Sequence, residues 1–135
     1  MKVPLDRIAC ASVIVVDDDP GTCAMLCLYL EAQGHQCVTA TTGAEAVALC
    51  RDRHFDCMLL DARLGAMSGL SVAQRLGGQS SAMRPTHIFL LTGHPKSEFT
   101  PALRDGLVDG YILKSDNLEE LSLVVRESVR VPDPT

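Results

Sequence analysis

The chain has 135 residues, 12 Lys and Arg against 17 Asp and Glu, and a formal charge of −5. That length suits one domain, read as 1–135 with its core at about 12–130. The acidic balance and the lack of a basic stripe exclude a nucleic-acid-binding surface, whose affinity would rest on Lys and Arg neutralising phosphates. Hydrophobic residues make up 47% and aromatic ones 4%, with no Trp, so the core must be aliphatic.

At the start, Lys2 and Arg7 precede the apolar stretch Ile8–Val16 and imitate a signal peptide. Pro4 and Asp6 interrupt the basic region, and Asp17-Asp18-Asp19 stands where a small-residue cleavage site belongs. Met1–Cys10 is therefore read as a lead-in and Val13–Val16 as a buried first strand running into Asp17-Asp18. Asp19 caps a helix with Pro20 at its first position, and Gly34 stops it. The apolar run Cys23–Leu30 inside that helix is far short of the ~18 residues a membrane span needs. Gln36–Ala40 is a weak second strand. Thr42-Gly43-Ala44-Glu45 is a capping box that opens helix two, which ends near Arg53.

Cys57–Leu60 is the third strand and delivers Asp61. A loop with Gly65 follows, and Ser68 caps a short third helix that ends at Gly77-Gly78. Pro85 precedes strand four, Ile88–Leu91, which runs into Thr92. Helix four begins within Pro95–Glu98 and stops at Gly106, before strand five, Tyr111–Leu113, which leads to Lys114. The last helix starts after Asn117 and places Leu118, Leu121, Val125 and Val129 on one face, with Pro132 and Pro134 ending it. No output module such as a helix-turn-helix, cyclase or kinase core is recognisable. Val131-Pro132-Asp133-Pro134 suits a linker as well as a stub.

Six cysteines (Cys10, Cys23, Cys27, Cys37, Cys50, Cys57) show no C-x-x-C spacing and read as small buried hydrophobes in a reducing, cytoplasmic setting. Short apolar runs alternating with helices describe an α/β fold: a five-stranded parallel sheet, doubly wound with right-handed crossovers, in strand order 2-1-3-4-5. In such a sheet all strand carboxyl ends share one edge, so Asp17, Asp18, Asp61, Thr92 and Lys114 converge although they lie far apart in sequence. Crowded carboxylates need a cation or raised pKa values. Oxygen ligands without His or Cys suit a hard ion, and Mg²⁺ is the natural candidate. Asp61 can then act as a nucleophile forming an acyl phosphate, with Lys114 and Mg²⁺ offsetting charge and the Thr92 hydroxyl bonding a phosphoryl oxygen. Taken singly, each residue has a duller reading as a helix cap, loop start or solvated charge.

The segments VIVVDDDP, DCMLLDARLGAMSGL, FLLTGH and DGYILKSDNLEEL, in that order and spacing, resemble the receiver domain of bacterial two-component response regulators. The likeness covers Ser12 to Val129 and implies a flavodoxin-like (βα)5 fold. It further implies that Asp61 accepts a phosphoryl group from a sensor histidine kinase or a histidine phosphotransfer protein, making the chain a signalling phosphoacceptor rather than an enzyme. Asp18, Asp61 and the Arg63 backbone carbonyl would ligate Mg²⁺ directly, and Asp17 mainly through water. Thr92 and Tyr111 would form the switch, Arg63 and His94 would tune hydrolysis, and the helix four–strand five–helix five face would carry output or a homodimer contact. Two positions depart from the family: Gly65 and Ser115 stand where proline is common. The remaining histidines (His35, His54, His87) receive no role and read as surface or strand residues.

Two other readings share these residues. A pseudo-receiver would use the same fold unphosphorylated, as an interaction module. A haloacid-dehalogenase-like phosphatase would use Asp17 as nucleophile, but Gly21 and Thr22 fall one position late for its signature. A later acidic pair and a cap are also missing.

Overall fold

The computed structural model describes residues 10–77, 81–94, 96–97, 99–114 and 118–128. Residues 1–9 of the expected lead-in, Gly78, Pro95, Glu98, Ser115, Asn117, Val129 and the tail with Pro132 and Pro134 lie outside them. Five strands, β1 (Ser12–Val16), β2 (Gln36–Ala40), β3 (Cys57–Asp61), β4 (His87–Thr92) and β5 (Gly110–Leu113), form one parallel sheet in the order β2-β1-β3-β4-β5. The helices α1 (Pro20–Ala32), α2 (Gly43–Asp52), α3 (Gly69–Gly77), α4 (Phe99–Arg104) and α5 (Leu118–Ser128) cover both faces. This is the doubly wound arrangement expected from the alternation of apolar runs and helices.

Strand alternation divides the core into two layers. Val13, Val15, Cys57, Leu59, Leu91 and Ile112 pack with Cys23, Leu26 and Leu30 of α1 and Leu121 and Val125 of α5. Ile14, Val16, Met58, Leu60, Ile88 and Leu90 pack on the other side with Val47, Val72, Leu76 and Phe99 of α2, α3 and α4. Because each face is covered, β3 is buried at all five positions, which is why its sequence up to Asp61 is an apolar run rather than an alternating one.

Helix limits follow local chemistry. Asp19 caps α1, accepting from the Gly21 N–H and the Thr22 hydroxyl. At its other end the His35 N–H reaches the Leu30 carbonyl and the Gly34 N–H the Glu31 carbonyl, with Gly34 at φ +95°; that is a Schellman closure. Thr42 accepts from the Glu45 N–H while Glu45 accepts from the Thr41 N–H, one residue earlier than in the usual capping box. Ser68 accepts from the Leu70 N–H at the start of α3.

Helix α4 is described from Phe99, and the turns that lead into it, closed by the Phe99 N–H on the Lys96 carbonyl and the Thr100 N–H on the Ser97 carbonyl, start inside the expected Pro95–Glu98 window, of which Pro95 and Glu98 lie outside the described residues. Three expectations need correction. The segment after β3 is an antiparallel hairpin of two-residue strands, Arg63–Leu64 and Met67–Ser68, rather than an open loop. His35 is buried, and its Nδ1 accepts from the Ala11 N–H at 3.0 Å, tying the entry of β1 to the α1–β2 corner. Cys10 is exposed, and Cys27 and Cys37 are half-buried, so the buried-hydrophobe reading holds only for Cys23, Cys50 and Cys57.

Candidate functional site

Register sets the geometry of the carboxyl edge. Val16 is level with Leu60, so Asp17 follows β1 beside Asp61, the last residue of β3. Asp61 is paired with Leu91, which puts Thr92 one step beyond it, and Thr92 is level with Leu113, which puts Lys114 one step further. Neighbouring parallel strands lie about 4.8 Å apart, close enough for their side chains to meet.

Asp17, Asp18 and Asp61 each offer a carboxylate oxygen, and these atoms all lie within 4.8 Å of one another. Asp17 is 2% exposed; its Oδ1 accepts from the Asp19 N–H at 2.9 Å, while its buried Oδ2 has no partner. Burial raises the Asp17 pKa above the ordinary carboxylate value, and the negative charges of Asp61 and Asp18 add to it. The Asp19 N–H and Lys114 act in the opposite sense. Asp18 is exposed and accepts from the Gly65 N–H at 3.0 Å. A buried carboxylate oxygen without a donor, flanked by two further carboxylates, fits a hard divalent cation and fits little else.

Asp61 keeps 7% of its side-chain exposure, and its Oδ1 receives both Lys114 Nζ at 3.1 Å and the Arg63 N–H at 3.2 Å. Lys114 is anchored through its own backbone, whose N–H donates to the Thr92 carbonyl at 2.7 Å. The buried Thr92 hydroxyl is engaged within its own turn: it donates to the His94 carbonyl at 2.7 Å and accepts from the His94 N–H at 3.2 Å. Tyr111 is 41% exposed, its ring tilted against Phe99 with centroids 6.2 Å apart. The Arg63 and His94 side chains are exposed at the rim. Acidic trio and lysine are thus gathered, whereas Thr92 and Tyr111 stand apart from them.

Two glycines shape the site: Gly69 was not singled out in the sequence, and Gly65 was noted there as a departure from the family's common proline. A Cβ on Gly69 would lie 2.2 Å from the Asp61 carbonyl oxygen and 3.2 Å from Ala62 Cα. Helix α3 can therefore start directly against the carboxyl end of β3 only with glycine there. The other is Gly65, whose N–H reaches Asp18. Beside the site an apolar groove of about 260 Å³ runs between α1 and α5, lined by Met25, Leu26, Ile112 and Leu118 and ending at Asp17 and Lys114. Among the described residues no helix is long and apolar enough to cross a membrane.

A family profile described as "Response regulator receiver domain" matches residues 13–126. Among curated proteins, the probable transcriptional regulatory protein TcrX of Mycobacterium tuberculosis is 32% identical over 119 residues, 88% of this chain and 50% of that protein. The chain thus spans about half the length of that relative. Chemotaxis response regulator CheY4 of Vibrio cholerae superimposes with a TM-score of 0.80 at 26% identity, covering 90% of this chain and all of the other. TrrA of Thermotoga maritima, solved in complex with Mg(2+)-BeF, gives 0.73 at 30% identity, covering 87% and 97%. With fold, residue order and family profile in agreement, this chain belongs to the response regulator receiver domain family of two-component systems.

Proposed function

We propose that this chain is one receiver domain that accepts a phosphoryl group on Asp61 from the phosphohistidine of a sensor histidine kinase or a histidine phosphotransfer protein. One observation carries the reading. Three carboxylates from two strand ends meet within 4.8 Å, and a lysine from a third strand end lies 3.1 Å from one of them. The likeness to a response regulator solved with Mg(2+)-BeF supports Mg²⁺ as the cation. All six thiols are free, which suits a cytoplasmic location.

Asp17, Asp18 and Asp61 would hold the ion, with the Arg63 backbone carbonyl as a further ligand on the family pattern. When bound, Mg²⁺ supplies positive charge against the oxygens of the transferring group. Asp61 Oδ1 already carries two contacts, so Oδ2 is the freer nucleophile. It attacks phosphorus in line, a mixed anhydride forms, and the P–N bond breaks with its electron pair left on the imidazole. Lys114 loses its carboxylate partner as that charge moves outward and follows it to the phosphoryl oxygens. Thr92 gives up the His94 carbonyl to donate to the same group, and the space it vacates admits the Tyr111 ring. The α4–β5–α5 face, which includes Tyr111, then presents a different surface to an output partner or a second copy. Arg63 and His94, at the rim, control how water reaches the anhydride.

Binding of beryllofluoride, a phosphoryl mimic, tests the proposal by heteronuclear NMR. With Mg²⁺ present, the amide resonances of Asp61, Thr92, Tyr111 and Lys114 should shift together, and EDTA should reverse the change. Shifts that need no divalent cation, or that persist in Asp61→Asn, would overturn the assignment.

A further inference from the structure

The hairpin after β3 brings its turn to the acidic site. Arg63 pairs with Ser68 and Leu64 with Met67, leaving Gly65 and Ala66 as the two turn residues. Gly65 takes φ +60°, in the left-handed range that favours glycine, whereas Ala66 does not share the positive φ. Leu64 is 7% exposed and roots the hairpin in the core layer beneath α2 and α3. The turn is therefore held at a fixed height above the sheet edge. From there the Gly65 N–H donates to Asp18 Oδ2 at 3.0 Å, across 47 residues of sequence.

Asp18 needs that contact more than its neighbours do. Asp17 is buried and held by the Asp19 N–H, and Asp61 is held by Lys114 and the Arg63 N–H. Asp18 is exposed, and an exposed carboxylate with no donor samples several rotamers. Space does not select the glycine, since a Cβ there would meet Asp18 Oδ2 at an ordinary 3.9 Å. What selects it is the left-handed backbone and the N–H. Proline, common at this place in the family, has neither, because its ring fixes φ near about −65° and removes the donor.

We infer that Gly65 is a positioning residue for the divalent cation: its N–H holds the Asp18 carboxylate so that the acidic trio is assembled before the cation arrives. This rests on reading Asp17, Asp18 and Asp61 as a Mg²⁺ site. Ordering one side chain in advance removes that cost from binding, a gain of about three- to tenfold in affinity.

Calorimetric Mg²⁺ titration of the whole chain tests this with Gly65→Pro and Gly65→Asn, because Asn keeps the N–H and tolerates positive φ. The proline variant should bind Mg²⁺ about fivefold more weakly and the asparagine variant within about twofold of the parent. In a second arm the metal-free parent is compared with Asp18→Ala by NMR. The Gly65 amide proton should move upfield when its acceptor is removed. Equal Mg²⁺ affinity in parent and proline variant, or a Gly65 amide proton indifferent to Asp18→Ala, overturns the inference alone. A parent chain that binds no Mg²⁺ overturns the cation reading and this inference with it. The amide measurement needs no Gly65 variant and decides the matter even where Gly65→Pro does not fold.

Discussion

Replacing Asp17 by Asn should stabilise the cation-free protein while weakening its hold on Mg²⁺. Asp17 is 2% exposed, its Oδ2 is buried without a partner, and oxygens of Asp18 and Asp61 lie within 4.8 Å. Two full charges at that distance repel by about 3.5 kcal/mol at an effective dielectric of about 20, and by about 1 kcal/mol with water-like screening. Lys114, 3.1 Å from Asp61, offsets part of this. An unpaired buried oxygen adds about 1–3 kcal/mol. Asn keeps the Asp19 N–H bond through its own Oδ1 and turns the orphaned position into an amide donor facing two carboxylates. A net gain of about 1–3 kcal/mol follows, or a rise in Tm of about 5 °C. The assay is urea unfolding in EDTA and in Mg²⁺. The parent should gain about 1.4 kcal/mol at ten times its Kd for Mg²⁺, and the variant far less. Because the Asp17 pKa is raised in the folded chain, chiefly by burial, the stability this group contributes is present below its unfolded value of about 3.9 and is lost as pH rises. The advantage of the variant in EDTA should therefore open above about pH 4 and close below it. A variant less stable than the parent in EDTA, or equally stabilised by Mg²⁺, would refute this reasoning.

Three further outcomes are expected. Burial, helped by the nearby Arg126, lowers the His35 pKa, and its Nδ1 must stay unprotonated to accept the Ala11 N–H. The contribution of His35 is present above the unfolded value of about 6.5 and lost as pH falls through the lower folded value. The drop in unfolding midpoint between pH 7 and 5 should accordingly shrink in His35→Gln, and an unchanged drop contradicts the assignment. Gly69→Ala forces a Cβ against the Asp61 carbonyl and should cost about 3 kcal/mol or more together with Mg²⁺ affinity; thermal unfolding within about 0.5 kcal/mol of the parent would show that α3 shifts freely. Beryllofluoride with Mg²⁺ should shield the Tyr111 ring, now 41% exposed, from iodination, and Thr92→Ala should abolish that protection. Protection that survives the substitution would separate the tyrosine from the threonine.

Much of this architecture was legible because its signals are local. Asp19-Pro20 and Thr42-x-x-Glu45 mark helix starts by hydrogen-bond chemistry that operates within four residues. The uniformly buried β3 announced itself as an apolar run, and its terminal aspartate could be placed at the sheet edge from topology alone. The hairpin at Arg63–Ser68 was not legible, since two-residue strands are too short to show a period and Gly65 reads equally well as a loop glycine. His35 was missed for a related reason. Its burial depends on packing at the α1–β2 corner and on the Ala11 N–H, 24 residues away. The orientation of the Thr92 hydroxyl toward His94 is a rotamer choice within a turn, invisible to strand and helix patterns. Residue types and their edge of the sheet were readable, whereas donors supplied by distant backbone were not.

Intact-mass and peptide mapping after incubation with acetyl phosphate, with and without Mg²⁺, tests the central claim most directly. One phosphoryl group should appear on Asp61, only when Mg²⁺ is present, and Asp61→Asn should remain unlabelled at that position. Labelling at Asp17 or elsewhere in the parent, or labelling of Asp61 that proceeds in EDTA, would contradict it.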